Sequence, residues 1–259
     1  MTVRNEEQTT RRETSSGELA DQVALITGGT AGIGLETARL FLREGAHVVI
    51  SGRSPERGAK ALADLPEGPG TVRFVAADLA DLDSVRALAE EAGPVDILVN
   101  NASAFPVAPT VEQSVSVFER LFDTNVRGAY FLTASLVPAM LDKGAGSIVN
   151  VSTMAASMGV PGASGYSATK AALASLTRTW AAEFGPGGIR VNSVAPGPTL
   201  TDGVLVEWGD GVAELGKTLP LRRTAGPAEI AEAILFLASP RSSFVTGATL
   251  AADGGATAV

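Results

Sequence analysis

The sequence predicts a single α/β domain with a doubly wound parallel sheet covered by helices on both faces, in three αβα layers. Short apolar runs, such as residues 23–27 and 95–100, are typical of strands buried on both faces. Helical stretches separate these runs through short loops, as the connections of a parallel sheet require. A length of 259 residues with 45% hydrophobic content suffices for one large core.

The composition excludes several classes of function. With no cysteine and one histidine, His47, the chain has no disulfide framework, thiol nucleophile or His-rich metal site, and we expect no bound metal. The formal charge of −8 disfavours nucleic acid as a partner. No run reaches the about 18 apolar residues of a membrane span. Residues 1–20 are polar and lack a signal-peptide core, which predicts a disordered arm, a domain over residues 21–259 and a cytoplasmic protein.

A glycine-rich segment follows the first predicted strand at residues 27–34 and precedes a helix predicted over residues 35–44. Gly28, Gly32 and Gly34 allow a tight turn and the close approach of a pyrophosphate. The free N–H groups at the start of the helix suit that anion. Strand, glycine loop and helix in this order indicate a dinucleotide-binding site.

The second predicted strand, residues 46–51, leads into Arg53 and Ser54. In such sites a carboxylate near this point binds the ribose of NAD(H), whereas an arginine accommodates the 2′-phosphate of NADP(H). No acid stands beside Arg53 until Glu56. The sequence therefore favours NADP(H), with NAD(H) possible; the alternative is a solvated surface arginine.

Polar residues lie at the ends of the later strands. Strands are predicted at residues 71–77, 95–100 and 147–151, and helices at 56–65, 81–92 and, as one long stretch, 111–143. Ligands of such sheets bind beyond the carboxyl ends of the strands. Asp78, Asn100 and Thr153 fall at these ends and indicate the crevice, with Asp78 a candidate to hold the adenine amino group.

Tyr166 and Lys170 form the candidate chemical centre. They lie one turn apart if this segment is helical, with Ser164 a candidate helix cap. A phenol has a pKa of about 10, and an ammonium about 4 Å away lowers it by up to about three units at an effective dielectric of about 20. The pair is therefore predicted to be a general acid/base. A chance surface pair is the alternative.

The whole pattern resembles the short-chain dehydrogenase/reductase family. The 27–34 loop, Asn100-Asn-Ala, Asn125, Tyr166-x-x-x-Lys170 and Pro196-Gly197 stand in that family's order and spacing, and the resemblance covers about residues 22–255. It implies a Rossmann-like fold and reversible hydride transfer between a nicotinamide dinucleotide and a carbonyl or secondary alcohol. It also implies a homo-oligomer, commonly a tetramer, with a dimer interface formed by the helix around Asn125 and the Tyr166 helix.

The resemblance assigns roles to individual residues. Tyr166 would be the acid/base, Lys170 would bind the nicotinamide ribose and lower the Tyr166 pKa, and Asn125 would hold a water of the proton relay. The implied cofactor-binding residues are Gly28, Thr30, Ala31, Gly32, Ile33, Gly34, Arg53, Ser54, Asp78, Leu79, Asn101, Ala102, Tyr166, Lys170, Pro196, Gly197, Thr199 and Thr201.

Three positions depart from the family pattern. Thr153 stands where the family has its catalytic serine; it keeps the hydroxyl but restricts χ1, and Ser152 is the alternative. Ser103 replaces a usual glycine on the nicotinamide side. Ala31 replaces a basic residue of many NADPH-preferring members, which leaves Arg53 to bind the 2′-phosphate largely alone.

The substrate site is predicted to be mainly apolar, beneath a mobile lid at residues 200–219. This favours a neutral ketone, aldehyde or secondary alcohol. One alternative is a 3-oxoacyl-thioester reductase, whose acidic carrier protein the charge of −8 would repel. Another is a non-catalytic dinucleotide-sensing protein, which would have no use for Tyr166 and Lys170. The candidate substrate residues are Ser103, Phe105, Met154, Val160 and Trp208.

Overall fold

The computed structural model describes residues 17–259, which build a seven-stranded sheet in the order β3-β2-β1-β4-β5-β6-β7. All neighbouring strands are parallel. The strands are β1 (Val23–Thr27), β2 (His47–Gly52), β3 (Val72–Ala76), β4 (Ile97–Asn100), β5 (Gly146–Val151), β6 (Ile189–Pro196) and β7 (Thr249–Ala252). The chain winds outward from β1 to β3 and then returns to place β4 beside β1. This reversal is the switch point at which such sheets bind ligands, and the predicted doubly wound fold is confirmed.

Helices cover both faces of the sheet. They are α1 (Gly32–Arg43), α2 (Pro55–Asp64), α3 (Leu82–Ala92), α4 (Val115–Phe122), α5 (Ala129–Lys143), α6 (Ser164–Phe184), α7 (Asp202–Trp208), α8 (Gly211–Thr218) and α9 (Pro227–Ala238). Successive strand residues point to opposite faces, so Ala24 and Ile26 enter one core with α1 and α9, while Leu25 enters the other with α3, α5 and α6. Burial on both faces explains why the strands are continuous apolar runs. No helix within residues 17–259 is long and apolar enough to span a bilayer.

The domain begins earlier than the sequence predicts. Residues 1–16 of the predicted arm lie outside the described residues, but residues 17–20 are part of the fold. Leu19 is fully buried, and its N–H donates to the Glu44 carbonyl at 3.0 Å. A boundary at residue 21 is therefore too late, because the Leu19 side chain belongs to the core.

The helical stretch predicted over residues 111–143 is found over residues 115–143, but it is not one uniform α-helix. A 3₁₀ turn (Thr110–Glu112) precedes α4, and a π-helical segment (Asp123–Gly128) separates α4 from α5. Ser114 caps α4 by accepting from the Val117 N–H at 3.4 Å. A Cβ on Gly128 would lie 2.2 Å from the Leu79 carbonyl oxygen, so this segment passes the end of β3 closely. The wider π turn falls at Asn125, in a stretch whose apolar pattern reads as continuous helix.

Candidate active site

The glycine loop after β1 is held by side chains from the ends of β1 and β4. The Thr27 hydroxyl accepts from the backbone N–H groups of Asn101 and Ala102, both at 3.0 Å. The Asn101 amide donates to the carbonyls of Thr27 at 2.9 Å and Gly28 at 3.2 Å. Gly28 has a φ of +65°, and a Cβ on Gly34 would lie 2.4 Å from the Gly28 oxygen. Asn101, which we expected beside the cofactor, therefore uses its side chain to fix the loop.

The start of α1 fits the pyrophosphate of a dinucleotide. No side chain caps this helix at Ala31, so the first-turn N–H groups are free for an anion. A Cβ on Gly32, at a φ of +54°, would lie 3.1 Å from Thr201 Cγ2 at the base of the lid. A side chain at this position would press against Thr201, so glycine lets the loop and the base of the lid approach closely.

The residues predicted to bind adenosine lie beyond β2 and β3. Arg53 is exposed and forms no salt bridge within residues 17–259. The Ser54 hydroxyl accepts from the Arg57 N–H at 3.2 Å and donates to Glu56 at 2.7 Å, which lowers the pKa of Glu56. Asp78 Oδ1 accepts from the Ala80 N–H at 3.0 Å, which fixes the carboxylate at the end of β3. The Ser54 hydroxyl is thus occupied by a helix cap and a carboxylate, while Arg53 is available to a ligand.

Tyr166 and Lys170 lie in the first two turns of α6. Lys170 is 2% exposed, its Nζ donates to the Val151 carbonyl at 2.8 Å, and it lies 5.9 Å from the centre of the Tyr166 ring. Burial lowers the pKa of Lys170 to about 7. Burial also raises the pKa of Tyr166 to about 12, against the opposing effect of the nearby Thr153 hydroxyl. Because the Tyr166 side chain is only half-buried, water in the cleft limits that rise.

The predicted lowering of the Tyr166 pKa towards 7 is therefore wrong for the protein alone. Burial of the phenol outweighs the effect of the ammonium, and Lys170 with a pKa of about 7 carries only part of its charge near neutrality. The expected Ser164 cap is also wrong. Ser164 is the first residue of α6, its hydroxyl is 3.0 Å from that of Thr110, and the cap position is Ala163.

Of the two neighbouring hydroxyls after β5, Thr153 is the one that reaches Tyr166. Its hydroxyl lies close enough to the Tyr166 hydroxyl to oppose the rise of the Tyr166 pKa, and it accepts from the Ala155 N–H at 3.3 Å. Ser152 is 3% exposed and donates to the Lys170 carbonyl at 3.2 Å. The side chain of Ser152 is thus turned into the packing between β5 and α6, away from the cleft.

Asn125 projects from the π-helical segment, and neighbouring groups satisfy its side chain. Its Oδ1 accepts from the Ala104 N–H at 2.7 Å, and its Nδ2 donates to the Ala104 carbonyl at 2.8 Å and the Thr169 hydroxyl at 3.0 Å. Both amide hydrogens of Asn125 are used, so a water bound here would have to donate its own hydrogen to a carbonyl oxygen. Sequence reasoning missed Ala104 and Thr169, because only the fold brings these three segments together.

The residues predicted to bind the nicotinamide follow β6. The Gly197 N–H donates to the Ala252 carbonyl at 3.0 Å, and a Cβ there would lie 2.7 Å from Asp253 Cα. Thr199 is buried, and its hydroxyl donates to the Gly197 carbonyl at 3.0 Å. Thr201 caps α7 by accepting from the Val204 N–H at 3.3 Å. Both threonine hydroxyls thus shape the chain as it turns from Pro196 into the lid.

The predicted substrate residues differ in burial and in the contacts that the fold gives them. Phe105 approaches the lid helix α7, since a Cβ on Gly203 would lie 3.3 Å from its ring. Met154 is buried and packs with Leu219. Ser103, Val160 and Trp208 are half-buried. The predicted lid consists of α7 and α8. No group of three His, Cys, Asp or Glu side chains suited to a metal ion is found in the described part of the chain.

Known proteins share this arrangement. A family model described as enoyl-(acyl carrier protein) reductase matches residues 28–257. Cis-4-hydroxycyclohexanecarboxylate dehydrogenase of Sinomonas cyclohexanicum is 42% identical over 93% of this chain and 98% of its own. A solved structure of a short chain dehydrogenase/reductase family protein is 61% identical, with a TM-score of 0.89 over 93% of this chain and 100% of its own. The chain belongs to the short-chain dehydrogenase/reductase family.

A further solved member, from Beutenbergia cavernae with NADP bound at low occupancy, is 36% identical to this short-chain dehydrogenase/reductase. Its TM-score is 0.88, and the match covers 93% of this chain and 98% of that one. The reaction class predicted from the sequence is confirmed: the protein is an NAD(P)-dependent oxidoreductase that transfers hydride between a nicotinamide and a carbonyl or alcohol.

Proposed function

We propose that this short-chain dehydrogenase/reductase uses NADP(H) to interconvert a neutral cyclic secondary alcohol and its ketone. The observation that carries the proposal is the proximity of the Tyr166 and Thr153 hydroxyls, beside the buried Lys170. Two hydroxyls that meet at one point can both hydrogen-bond a single carbonyl oxygen, which is the atom that gains charge during reduction.

Tyr166 is the proposed proton donor. With a pKa raised to about 12 by burial, it is protonated throughout the neutral range and can give its proton to the forming alkoxide. Thr153 hydrogen-bonds the same oxygen. Bound in the crevice, the nicotinamide would supply or accept the hydride. Lys170 spends one N–H on the Val151 carbonyl, which leaves the others for the ribose hydroxyls. In the oxidising direction Tyr166 must first lose its proton, so that direction is favoured by alkaline pH.

The absence of free cations in the segments around the site supports a neutral substrate. Residues 101–114, 152–165 and 198–219 contain one basic side chain, Lys217. It is exposed and paired with Glu214 at 2.6 Å. The relative from Sinomonas is named for a ring-borne alcohol that also carries a carboxylate. We propose the same ring-borne alcohol here without the carboxylate, held by apolar contacts with Phe105 and Met154.

The preference for NADP(H) rests on Arg53. Its exposed guanidinium follows the end of β2. The first acid after it in the sequence, Glu56, is hydrogen-bonded to Ser54. An arginine at this point suits a 2′-phosphate. The bound NADP of the Beutenbergia relative is consistent with this assignment.

A homotetramer is part of the proposal. Tyr130 and Phe131 on α5 are 42% and 45% exposed, and they line a groove with Ala172 and Leu176 of α6. A second copy of the chain would cover these apolar side chains. A cytoplasmic location stays a prediction from the composition.

A second candidate is a 3-oxoacyl-thioester reductase, which the description of the matching family model favours. The test is NADPH-dependent turnover of neutral cyclic ketones, such as cyclohexanone, against a 3-oxoacyl thioester. The proposal predicts a kcat/KM higher by roughly 100-fold for the cyclic ketone. The reverse ranking would favour the thioester reductase, and turnover of neither compound would refute both substrate assignments.

A further inference from the structure

Thr169 connects three segments of the site that are far apart in sequence. Its hydroxyl donates to the Tyr166 carbonyl at 2.7 Å and accepts from the Asn125 amide at 3.0 Å. Asn125 in turn holds both backbone groups of Ala104, at 2.7 and 2.8 Å. Thr169 is fully buried and Asn125 is 1% exposed. The Asn125 side chain therefore joins the loop after β4 to the helix of Tyr166, and the Thr169 hydroxyl is its contact with that helix.

The Thr169 hydroxyl is the hydrogen-bond acceptor for one of the two amide hydrogens of Asn125. One amide hydrogen of Asn125 goes to the Ala104 carbonyl, and the second goes to Thr169. If the Thr169 oxygen is removed, a buried N–H is left unpaired, and water cannot replace the partner without a rearrangement. We expect the Asn125 side chain to shift until this N–H finds another acceptor, and Ala104 to move with it. Ala104 lies between Ser103 and Phe105, two of the five candidate substrate residues.

We propose that Thr169 is a positioning residue, which sets the substrate loop at Ala104 in register with Tyr166 through Asn125. The inference rests on the proposed alcohol–ketone activity of this site. Thr169 touches no reacting atom; it acts by fixing the distance between the acid/base and the wall of the substrate pocket. The glycine loop is held separately by Thr27 and Asn101, so dinucleotide binding is independent of this connection.

The same helix provides a matched control. Thr177 is also fully buried, its hydroxyl donates to the Leu173 carbonyl at 2.9 Å, and it accepts from the Asn150 amide at 2.9 Å. It lies eight residues further along α6, about 12 Å from Thr169 at 1.5 Å per residue. Loss of either hydroxyl leaves a buried amide hydrogen unpaired, but the loss at Thr177 occurs away from the substrate loop.

The experiment compares Thr169→Val, Thr169→Ser and Thr177→Val with the wild type. Each full-length protein is measured for its Kd for NADPH, its kcat and KM for cyclohexanone, and its thermal midpoint. We expect kcat/KM of Thr169→Val to fall about tenfold or more, largely in KM, with the Kd for NADPH changed by less than about twofold. Thr169→Ser should retain most of the activity. Thr177→Val should lose stability comparably while it keeps its kcat/KM.

A second measurement does not depend on turnover. The Ala104 N–H donates to Asn125, so its hydrogen exchange reports the connection directly. Exchange in the peptide around Ala104 should be faster in Thr169→Val than in Thr177→Val or the wild type. This result would stand even if the wild type reduced no cyclic ketone, an outcome that would refute the proposed function instead.

The proposal is overturned if Thr169→Val keeps wild-type kcat/KM and Ala104 exchange, or if Thr177→Val changes both to the same extent. If Thr169→Val does not fold, Thr169→Cys takes its place, because a thiol is similar in shape to the serine hydroxyl but a weak hydrogen-bonding group. Equal activity of Thr169→Cys and Thr169→Ser would then overturn the proposal, and a drop confined to Thr169→Cys would support it.

Discussion

Lys170 directs its Nζ to the Val151 carbonyl at 2.8 Å while lying 5.9 Å from the centre of the Tyr166 ring. Burial raises the pKa of Tyr166 to about 12 and lowers that of Lys170 to about 7. In the protein alone, both side chains therefore favour their neutral forms. The arrangement suits a proton donor at Tyr166. Lys170 would become fully charged when a bound ligand, such as the ribose of the cofactor, supplies further hydrogen-bond acceptors.

The buried Lys170 should make stability depend on pH. Its pKa is about 7 in the folded chain against an ordinary 10.5, so between these values the unfolded chain binds a proton that the folded chain lacks. The free energy of unfolding therefore rises with pH across this window. Between pH 7.5 and 9.5 the rise should be about 2 kcal/mol greater in the wild type than in Lys170→Met, measured by urea unfolding. Parallel pH curves for the two proteins would contradict the lowered pKa of Lys170.

Removal of each hydroxyl after β5 should separate catalysis from packing. Thr153→Ala should lower kcat/KM about 100-fold, because it removes a hydrogen bond to the oxygen that gains charge. Ser152→Ala removes a bond to the Lys170 carbonyl, so it should cost about 1 kcal/mol of stability with a much smaller change in turnover. If turnover is abolished in Ser152→Ala and retained in Thr153→Ala, the assignment is wrong.

Replacement of Arg53 should change which dinucleotide binds better. Arg53→Ala should raise the Kd for NADPH about tenfold or more and leave that for NADH within about twofold, because only NADPH carries the 2′-phosphate. Fluorescence titration at low salt measures both constants, and added salt should narrow the difference. Lys60→Ala is the control, since it removes one exposed positive charge from α2, the helix that follows Arg53. If both variants raised the Kd for NADPH equally, Arg53 would act only as one of several surface charges and not as a specific 2′-phosphate contact.

The sheet was predictable from the sequence because its strands are buried on both faces. Residues 23–27 form the predicted strand, and Thr153 occupies the position expected from its spacing to Tyr166. Repeated strand–helix units leave few topologies open, since parallel crossovers take one hand. Residues at the carboxyl ends of the strands then fall at one edge without knowledge of any contact.

The wrong predictions concern features that are determined by contacts between segments distant in sequence. The π-helical turn at Asn125 has no apolar period of its own, and the burial that raises the Tyr166 pKa comes from segments distant in sequence. Distance along a helix suggested a charge beside a phenol, but it could not show that Lys170 is itself desolvated. The contact of Thr169 with Asn125 spans 44 residues and leaves no signal in either local pattern.

The most direct test of the proposed function is the NADPH-dependent reduction of cyclohexanone by the wild type and Tyr166→Phe, with the Kd for NADPH measured on the same samples. The ring is retained in this variant and only the hydroxyl is lost. We expect unchanged NADPH binding and a loss of about 100-fold or more in kcat. Wild-type turnover by Tyr166→Phe, with NADPH still bound, would contradict the assignment of Tyr166 as the proton donor.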